Sequence, residues 1–150
     1  MADLTLAEAQ GLIQVLKRIL QEGKLALPKS GSIAKFELCS VFSEKDRFTV
    51  IANRSSKIRK NKYTLMLRYG KDKGLLRIDV GGPDHVNPDG TIVPCPHLHI
   101  QKKDSVAWDA WAAEIPAVFG HVEDRIETFR TFLQYCNVNN IASIEITEME

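Results

Sequence analysis

The chain has 150 residues, of which 44% are hydrophobic and 26% charged, with a formal net charge of +1. This composition predicts one soluble domain over residues 1–150 and excludes polyanion binding through overall charge. Three cysteines without a CxxC spacing argue against a disulfide framework or a zinc knuckle. Because there is no secretory pattern and no membrane-length apolar run, we expect a cytoplasmic protein without membrane contact.

Residues 1–24 are predicted to form an amphipathic N-terminal helix. Thr5 and Glu8 have the spacing of a capping box, which opens a helix. Apolar residues then recur at helical spacing, and Gly23 is a plausible stop. Residues 27–32 have the composition of a linker.

Residues 35–101 are predicted to form the sheet, because the hydrophobic period changes there to that of strands. Short turn-rich segments separate the strands and are of hairpin length. These features favour an antiparallel meander or small barrel of about five strands. The predicted strands are Lys35–Phe42, Arg47–Asn53, Lys62–Tyr69, Leu75–Val80 and Pro96–Gln101.

Residues 105–136 are predicted to form C-terminal helices. Trp108 and Trp111 lie on one apolar face of the first, and residues 122–136 carry the continuous apolar stripe of the second. Residues 141–147 are a candidate edge strand. The predicted fold class is α+β, with helices flanking the sheet. An edge strand and an exposed aromatic helix would also suit a homodimer.

The segment from Leu75 to Ile100 holds three of the four histidines. If residues 96–100 are extended, His97 and His99 project from one face. In the strand before them, Arg77 and Asp79 alternate with apolar residues. Pairing the two strands would therefore bury the apolar side and gather the four polar side chains on the other side. Such a set costs free energy to bury, so we expect this face to be either hydrated or functional.

One interpretation of this face is metal-free acid–base chemistry on RNA. Two imidazoles can act as acid and base near neutral pH, and guanidinium groups can stabilise a phosphate. His97 and His99 would be the acid–base pair, assisted by His85 or Asp79. The candidate catalytic residues are His85, His97, His99, Asp79, Arg68 and Arg77.

A basic run between two predicted strands supplies a candidate surface for RNA or single-stranded nucleic acid. Its cations would follow a phosphate backbone, and a tyrosine beside them would stack on bases. The candidate nucleic-acid-binding residues are Arg54, Lys57, Arg59, Lys60, Lys62 and Tyr63. These residues therefore predict a small nuclease that acts on RNA.

Three alternatives stay open. Histidines two apart on a strand can present metal ligands, with His85 or Asp79 as the third, so a metal enzyme is an alternative to a protein without cofactor. The chain could instead be a non-enzymatic binding protein, such as an antitoxin or a phage-encoded inhibitor, with a protein partner. The histidines could also only hold the turn at residues 87–90 in place.

The motifs NPDG (residues 87–90) and PCPHLHI (residues 94–100), together with KYTLMLR, LLRIDVGGP, WDAWAAEIP and FLQYCNVNNI, resemble an uncharacterised family of small prokaryotic proteins. The resemblance covers Phe36 to about Ile146. It implies an association with mobile elements and phage, and with toxin–antitoxin or defence roles, but transfers no catalytic role. The residues it places in the family signature are His85, Asn87, Asp89, His97 and His99.

Overall fold

A computed structural model describes residues 4–149, so residues 1–3 of the predicted first helix and Glu150 lie outside the described part. The described residues form an α+β fold, as the sequence predicts. In chain order the elements are α1 (Leu6–Gln14), β1 (Lys17–Ile19), β2 (Lys24–Leu27), β3 (Ser32–Ser40), β4 (Arg47–Arg54), β5 (Tyr63–Tyr69), β6 (Lys73–Val80), β7 (His85–Val86), β8 (Ile92–Val93), β9 (His97–Ile100), β10 (Ala112–Glu114), α2 (Arg125–Tyr135) and β11 (Glu145–Glu148).

The main sheet has seven strands in the order β1-β3-β4-β5-β6-β9-β10. Every neighbouring pair is antiparallel. The five predicted strands correspond to β3, β4, β5, β6 and β9, so the meander is confirmed and is longer than expected. The order makes β1 and β10 the edge strands, with Val138 bridged to Lys17 of β1, and the sheet does not close into a barrel. Strands β7 and β8 form a separate hairpin.

The two faces of the main sheet differ because side chains alternate along each strand. One face carries the core and is covered by both helices. Phe36 of β3 packs against Phe129 of α2, with 5.2 Å between ring centroids, and Ala9 and Ile13 of α1 are buried in the same cluster. The other face carries the polar residues of β4, β5, β6 and β9, and a cleft lies over it.

Helix α1 begins as predicted but is shorter. Thr5 Oγ1 accepts from the Glu8 amide at 3.1 Å, and the Glu8 carboxylate accepts from the Thr5 amide at 2.9 Å, which confirms the capping box. The helix ends at Gln14, not near Gly23. Apolar spacing alone did not distinguish a longer helix from a helix followed by the short strand β1.

The first predicted C-terminal helix is wrong. Within residues 105–115 the chain forms turns and then strand β10, which pairs with β9. Trp108 lies flat on Gly74, where a Cβ atom would stand 2.2 Å from the indole ring. The apolar spacing around Trp108 therefore reflects a contact with strand β6 and not a helix face. The second predicted C-terminal helix is confirmed by α2, which covers residues 125–135.

The predicted linker and edge strand also need correction. Leu27 ends strand β2, and Ser32 begins β3, so the connection is shorter than residues 27–32. The C-terminal strand β11 exists but pairs in parallel with β2, outside the main sheet. Among residues 4–149, no helix has the length and hydropathy required to span a membrane.

Candidate metal centre

The register between β6 and β9 builds the candidate site. Asp79 is opposite His97, and Arg77 is opposite His99. Because residues two apart on a strand share a face, all four side chains project from the same side of the sheet. The predicted strand pairing and its polar face are confirmed.

One carboxylate oxygen lies between the two imidazoles. Oδ2 of Asp79 is 3.3 Å from Nε2 of His97 and 3.3 Å from Nε2 of His99. Both histidines are only 2% exposed. The ring centroids of His97 and His99 are 4.9 Å apart at an angle of 83°, so the two rings approach the carboxylate from different directions.

The other nitrogen of each ring contacts a backbone carbonyl. Nδ1 of His97 is 3.3 Å from the Pro94 oxygen, and Nδ1 of His99 is 3.0 Å from the Asp109 oxygen. A neutral imidazole has one N–H, yet each ring here lies between two acceptors. Donation from Nδ1 to the carbonyl leaves the Nε2 lone pair facing Asp79. This is the arrangement by which proteins orient metal-binding histidines.

Asp79 is held as an ionised carboxylate. Nε and one terminal nitrogen of Arg77 donate to its two oxygens at 2.6 and 3.1 Å. Burial alone would raise the pKa of Asp79, but the proximity of the His99 ring together with the hydrogen bonds and charge of Arg77 holds it well below its usual range. The carboxylate is thus a fixed anion beside two imidazoles.

These three side chains have the composition and spacing of a metal site. The candidate ligand atoms of Asp79, His97 and His99 all lie within 4.8 Å of one another. At zinc–ligand distances of about 2.0–2.1 Å, tetrahedral ligands stand roughly 3.3–3.4 Å apart, which matches both carboxylate–imidazole distances. Two histidines and one carboxylate also form the facial set of non-haem iron sites. The residues therefore fit a divalent transition metal.

His85 lies beside this group but is engaged differently. Its ring centroid is 4.7 Å from that of His99 and 6.0 Å from that of His97. Its Nε2 is 2.9 Å from the Ala110 carbonyl oxygen, to which it donates as the N–H tautomer. The sequence offered His85 or Asp79 as a third ligand, and the structure groups Asp79 with the histidine pair.

The NPDG turn positions the backbone that orients the histidines. The buried side chain of Asn87 accepts from the Ala112 amide at 2.8 Å and donates to the Ala112 carbonyl at 3.1 Å. This clamp fixes β10, and the carbonyls that bind His85 and His99 lie just before it. Asp89 stays in the turn, where its carboxylate accepts from the Thr91 amide.

A cleft of about 670 Å³ opens over this face. The two histidines, Asp79 and Arg77 form one end of it. The opposite wall comes from the end of β4, the following loop and the start of β5. The wall residues outside the metal centre include Ile51, Asn53, Ser55, Ser56, Lys62, Thr64 and Met66.

The basic run only partly matches the predicted nucleic-acid surface. Lys62 lines the cleft, and Lys57, Arg59 and Lys60 are exposed beyond it. Arg54 instead points its guanidinium at the carbonyls of Pro28 and Lys60, each at 3.2 Å.

Tyr63 is not available to stack on bases. It is 4% exposed and donates its hydroxyl to the Val122 carbonyl. Burial raises the pKa of Tyr63 to about 12. Alternation along the strand turned this residue toward the core side.

Arg68 lies on the same face as Arg77, but not in the cleft. It is opposite Thr49 in the neighbouring strand, and its guanidinium contacts the Thr49 hydroxyl at 3.5 Å. Among the described residues it does not line the cleft, so the structure does not bring it together with the other predicted site residues.

Several site residues were missed because no single position gives a signal. The carbonyls of Pro94 and Asp109 are backbone groups, which any residue supplies. Asn53 and Thr64 are ordinary strand residues until the register places them in one row with Asp79. Only the strand alignment could have found them.

A family model, described as a family of unknown function (DUF6978), matches residues 4–138. No curated protein and no solved structure matched the chain. The match covers most of the sequence and agrees with the predicted membership of an uncharacterised family. The chain belongs to DUF6978, a family of unknown function.

Proposed function

We propose that this protein is a metal-dependent hydrolase whose ion is bound by Asp79, His97 and His99, with zinc as the expected metal. The observation that supports this best is the shared 3.3 Å separation of both Nε2 atoms from one Asp79 oxygen. With both Nδ1 atoms on carbonyls, two lone pairs and an anion converge on one point. A cation there removes the repulsion between these acceptors.

The number of ligands favours a catalytic site over a structural one. Structural zinc sites use four protein ligands, whereas catalytic sites use three and keep one position open. Three side chains converge here, beside a cleft of substrate size. When bound, the ion would supply Lewis acidity and lower the pKa of water.

The surrounding side chains have separate roles in this proposal. Arg77 fixes the direction of the Asp79 carboxylate through two hydrogen bonds. His85 donates from Nε2 to Ala110, which leaves its Nδ1 as a proton acceptor beside the centre. Removing His85 should therefore lower turnover more than metal affinity.

The second candidate is the metal-independent RNase of toxin or defence type. It is favoured by one observation, which is that the exposed cations of the basic run continue from Lys62 at the cleft wall. The hydrogen bonds weigh against it. An acid–base pair must present free ring nitrogens to the substrate, whereas both nitrogens of His97 and His99 face protein acceptors.

The test is metal analysis of the purified protein, combined with hydrolysis of single-stranded RNA and of an activated ester, each with and without chelator. His121 is exposed and remote in sequence, so His121→Ala is a matched control for the site variants. We expect about one ion per chain in wild type and His121→Ala, and loss of at least about 90% of it in His97→Ala and Asp79→Asn.

The alternatives give different results. Chelator-resistant RNA cleavage that disappears in His97→Ala would support the acid–base nuclease and contradict the metal proposal. A folded protein with neither metal nor cleavage would point to the non-enzymatic binding protein, such as an antitoxin or phage-encoded inhibitor.

A further inference from the structure

The cleft wall opposite the metal centre carries several side-chain hydrogen-bond donors. The side-chain oxygen of Asn53 accepts from the Ser55 amide at 2.8 Å, which leaves the Asn53 NH₂ group as a donor. Ser56 Oγ accepts from the Arg59 amide at 3.1 Å, which leaves its O–H to donate. Within residues 4–149, no further protein partner of these groups is found. The local turn therefore engages the side-chain oxygens of Asn53 and Ser56 and leaves their N–H and O–H groups to donate.

Lys62 adds a cation to the same wall. It is half-buried, and its stem lies along Gly82, where a Cβ atom would be 3.6 Å from Cε. Within residues 4–149 no carboxylate lies within ion-pair distance of it, although Asp84 also lines the cleft. An ammonium group beside several neutral donors complements a group that has only acceptors.

The net charge of the cleft also favours an anionic ligand. The cationic side chains that line it are Lys62 and Arg77, and the carboxylates are Asp79 and Asp84, so these charges cancel. A bound divalent ion would leave a net charge of about +2 in a partly enclosed space, which attracts anions.

The register gives the distance between the two ends. Asn53 is opposite Thr64, and Thr64 is opposite Asp79, so two strand spacings separate the donor wall from the metal centre. This is about 10 Å, since neighbouring strands lie about 4.8 Å apart. An anion on the wall is therefore not the group that reacts at the metal. Thr64 lies between them, and the adjacent row of Ile51 and Met66 gives the cleft an apolar strip that suits a flat, apolar body.

We infer that the cleft binds a phosphorylated substrate of nucleotide size, with the phosphate on Lys62, Asn53 and Ser56 and the reacting bond about 10 Å away at the metal centre. This inference rests on the proposed function for the role of the metal. The donor wall itself is independent of the ion, and the two can fail separately.

The experiment measures binding of adenosine 5′-monophosphate, adenosine and a single-stranded RNA octamer to the full-length, zinc-loaded protein in phosphate-free buffer. Lys62→Met keeps the stem and removes the charge. Asn53→Asp keeps the acceptor for Ser55 but replaces the donors with an anion. Lys45→Met, at an exposed lysine outside both the cleft and the basic run, is the control.

We expect Lys62→Met to weaken binding of the monophosphate about tenfold, and Asn53→Asp to weaken it more, because one lost charged contact is a tenfold effect and an added anion also repels. Adenosine binding and zinc content should not change in either variant. A monophosphate that binds as well as adenosine, or equally to wild type and Lys62→Met, would overturn the inference.

The two proposals are separated by the metal-site variants. If Asp79→Asn abolishes phosphate binding while Lys62→Met leaves it intact, the phosphate sits on the metal and this inference is wrong, although the proposed function survives. If the protein binds no zinc yet shows Lys62-dependent phosphate binding, the proposed function fails and the donor wall stands. Loss of octamer binding in Lys62→Met would identify a polynucleotide as a source of the phosphate.

Discussion

Two groups of buried polar residues lie on opposite sides of this molecule, and they differ in whether their hydrogen bonds are complete. Lys17 is fully buried, and its ammonium donates three hydrogen bonds, to the carbonyls of Ile13, Val15 and Cys136 at 2.7, 3.0 and 2.8 Å. Donors and acceptors match in number. The Phe48 ring, 4.9 Å away, completes the environment.

The histidine pair is not complete in this sense. His97 and His99 each lie between a carbonyl and the Asp79 carboxylate, so four acceptor contacts meet two N–H groups when the rings are neutral. A buried network with matched partners holds a fold together, whereas one with surplus acceptors is arranged for a cation or proton that comes from outside. From this difference in hydrogen bonding we infer that Lys17 stabilises the fold and that the histidines serve the function.

The largest expected effect comes from breaking the complete network. Lys17→Met leaves three helix-end carbonyls without their donor, and we expect the free energy of unfolding to fall by about 2–3 kcal/mol at pH 7, after relief of the desolvation of the ammonium. Urea unfolding followed by circular dichroism measures it. Lys24→Met, which removes an exposed lysine that faces Glu145 at 3.8 Å, should change stability by less than about 0.5 kcal/mol. If both variants changed the free energy of unfolding by the same amount, the hydrogen bonds of Lys17 would not have the structural role assigned to them here.

The free energy of unfolding should also depend on pH through the buried Lys17. Burial lowers the pKa of Lys17 from 10.5 to about 8, partly opposed by the neighbouring Cys136. Between these values the unfolded chain binds more protons than the folded one, so stability rises with pH and the cost of burying the charge disappears. The difference in the free energy of unfolding between wild type and Lys17→Met should therefore increase by about 2 kcal/mol from pH 8 to pH 10.

Taking the difference between the two proteins is essential to this measurement. Burial raises the pKa of Cys136 to about 12, and the pKa of Tyr63 is also raised, and both oppose the trend at high pH. Tyr63 is the same in both proteins, so its contribution cancels. Cys136 is coupled to Lys17, but loss of the ammonium can only raise the pKa of the thiol further above pH 10, so its contribution over this range is also the same in both proteins. A gap that stays constant or narrows over this range would contradict the lowered pKa of Lys17.

The smallest predicted effect concerns the support of the incomplete network. Asn87→Ala removes the clamp on Ala112, and the carbonyls that orient His85 and His99 lie just before that residue. Residues that orient metal ligands typically contribute 10–100-fold to metal affinity, and we expect about tenfold weaker zinc binding here. Competition with a chromogenic chelator measures it. Asn139→Ala, at an exposed asparagine, is the control, and unchanged affinity in Asn87→Ala would show that the clamp does not act on the centre.

Much of the sheet followed from local patterns. Alternation in β5 and β6 predicted both the strands and their buried faces, because a strand that is covered on one side needs apolar residues at every second position. The capping box at Thr5 and the apolar stripe of α2 could also be predicted from local patterns. The segment around Trp108 was not, since its helical spacing arises from contacts with Gly74, distant in sequence.

Local sequence patterns were sufficient to predict the order of the central strands, the shared face of Arg77, Asp79, His97 and His99, and the turn at residues 87–90. These depend on interactions between near neighbours and on the period of the backbone. The three-dimensional structure was needed to place Asp79 between the histidines, to group Asn53 and Thr64 with Asp79, and to show which carbonyls hold the histidine rings. Each of these depends on strand register or on backbone carbonyls, and neither is encoded by the residue at a single position.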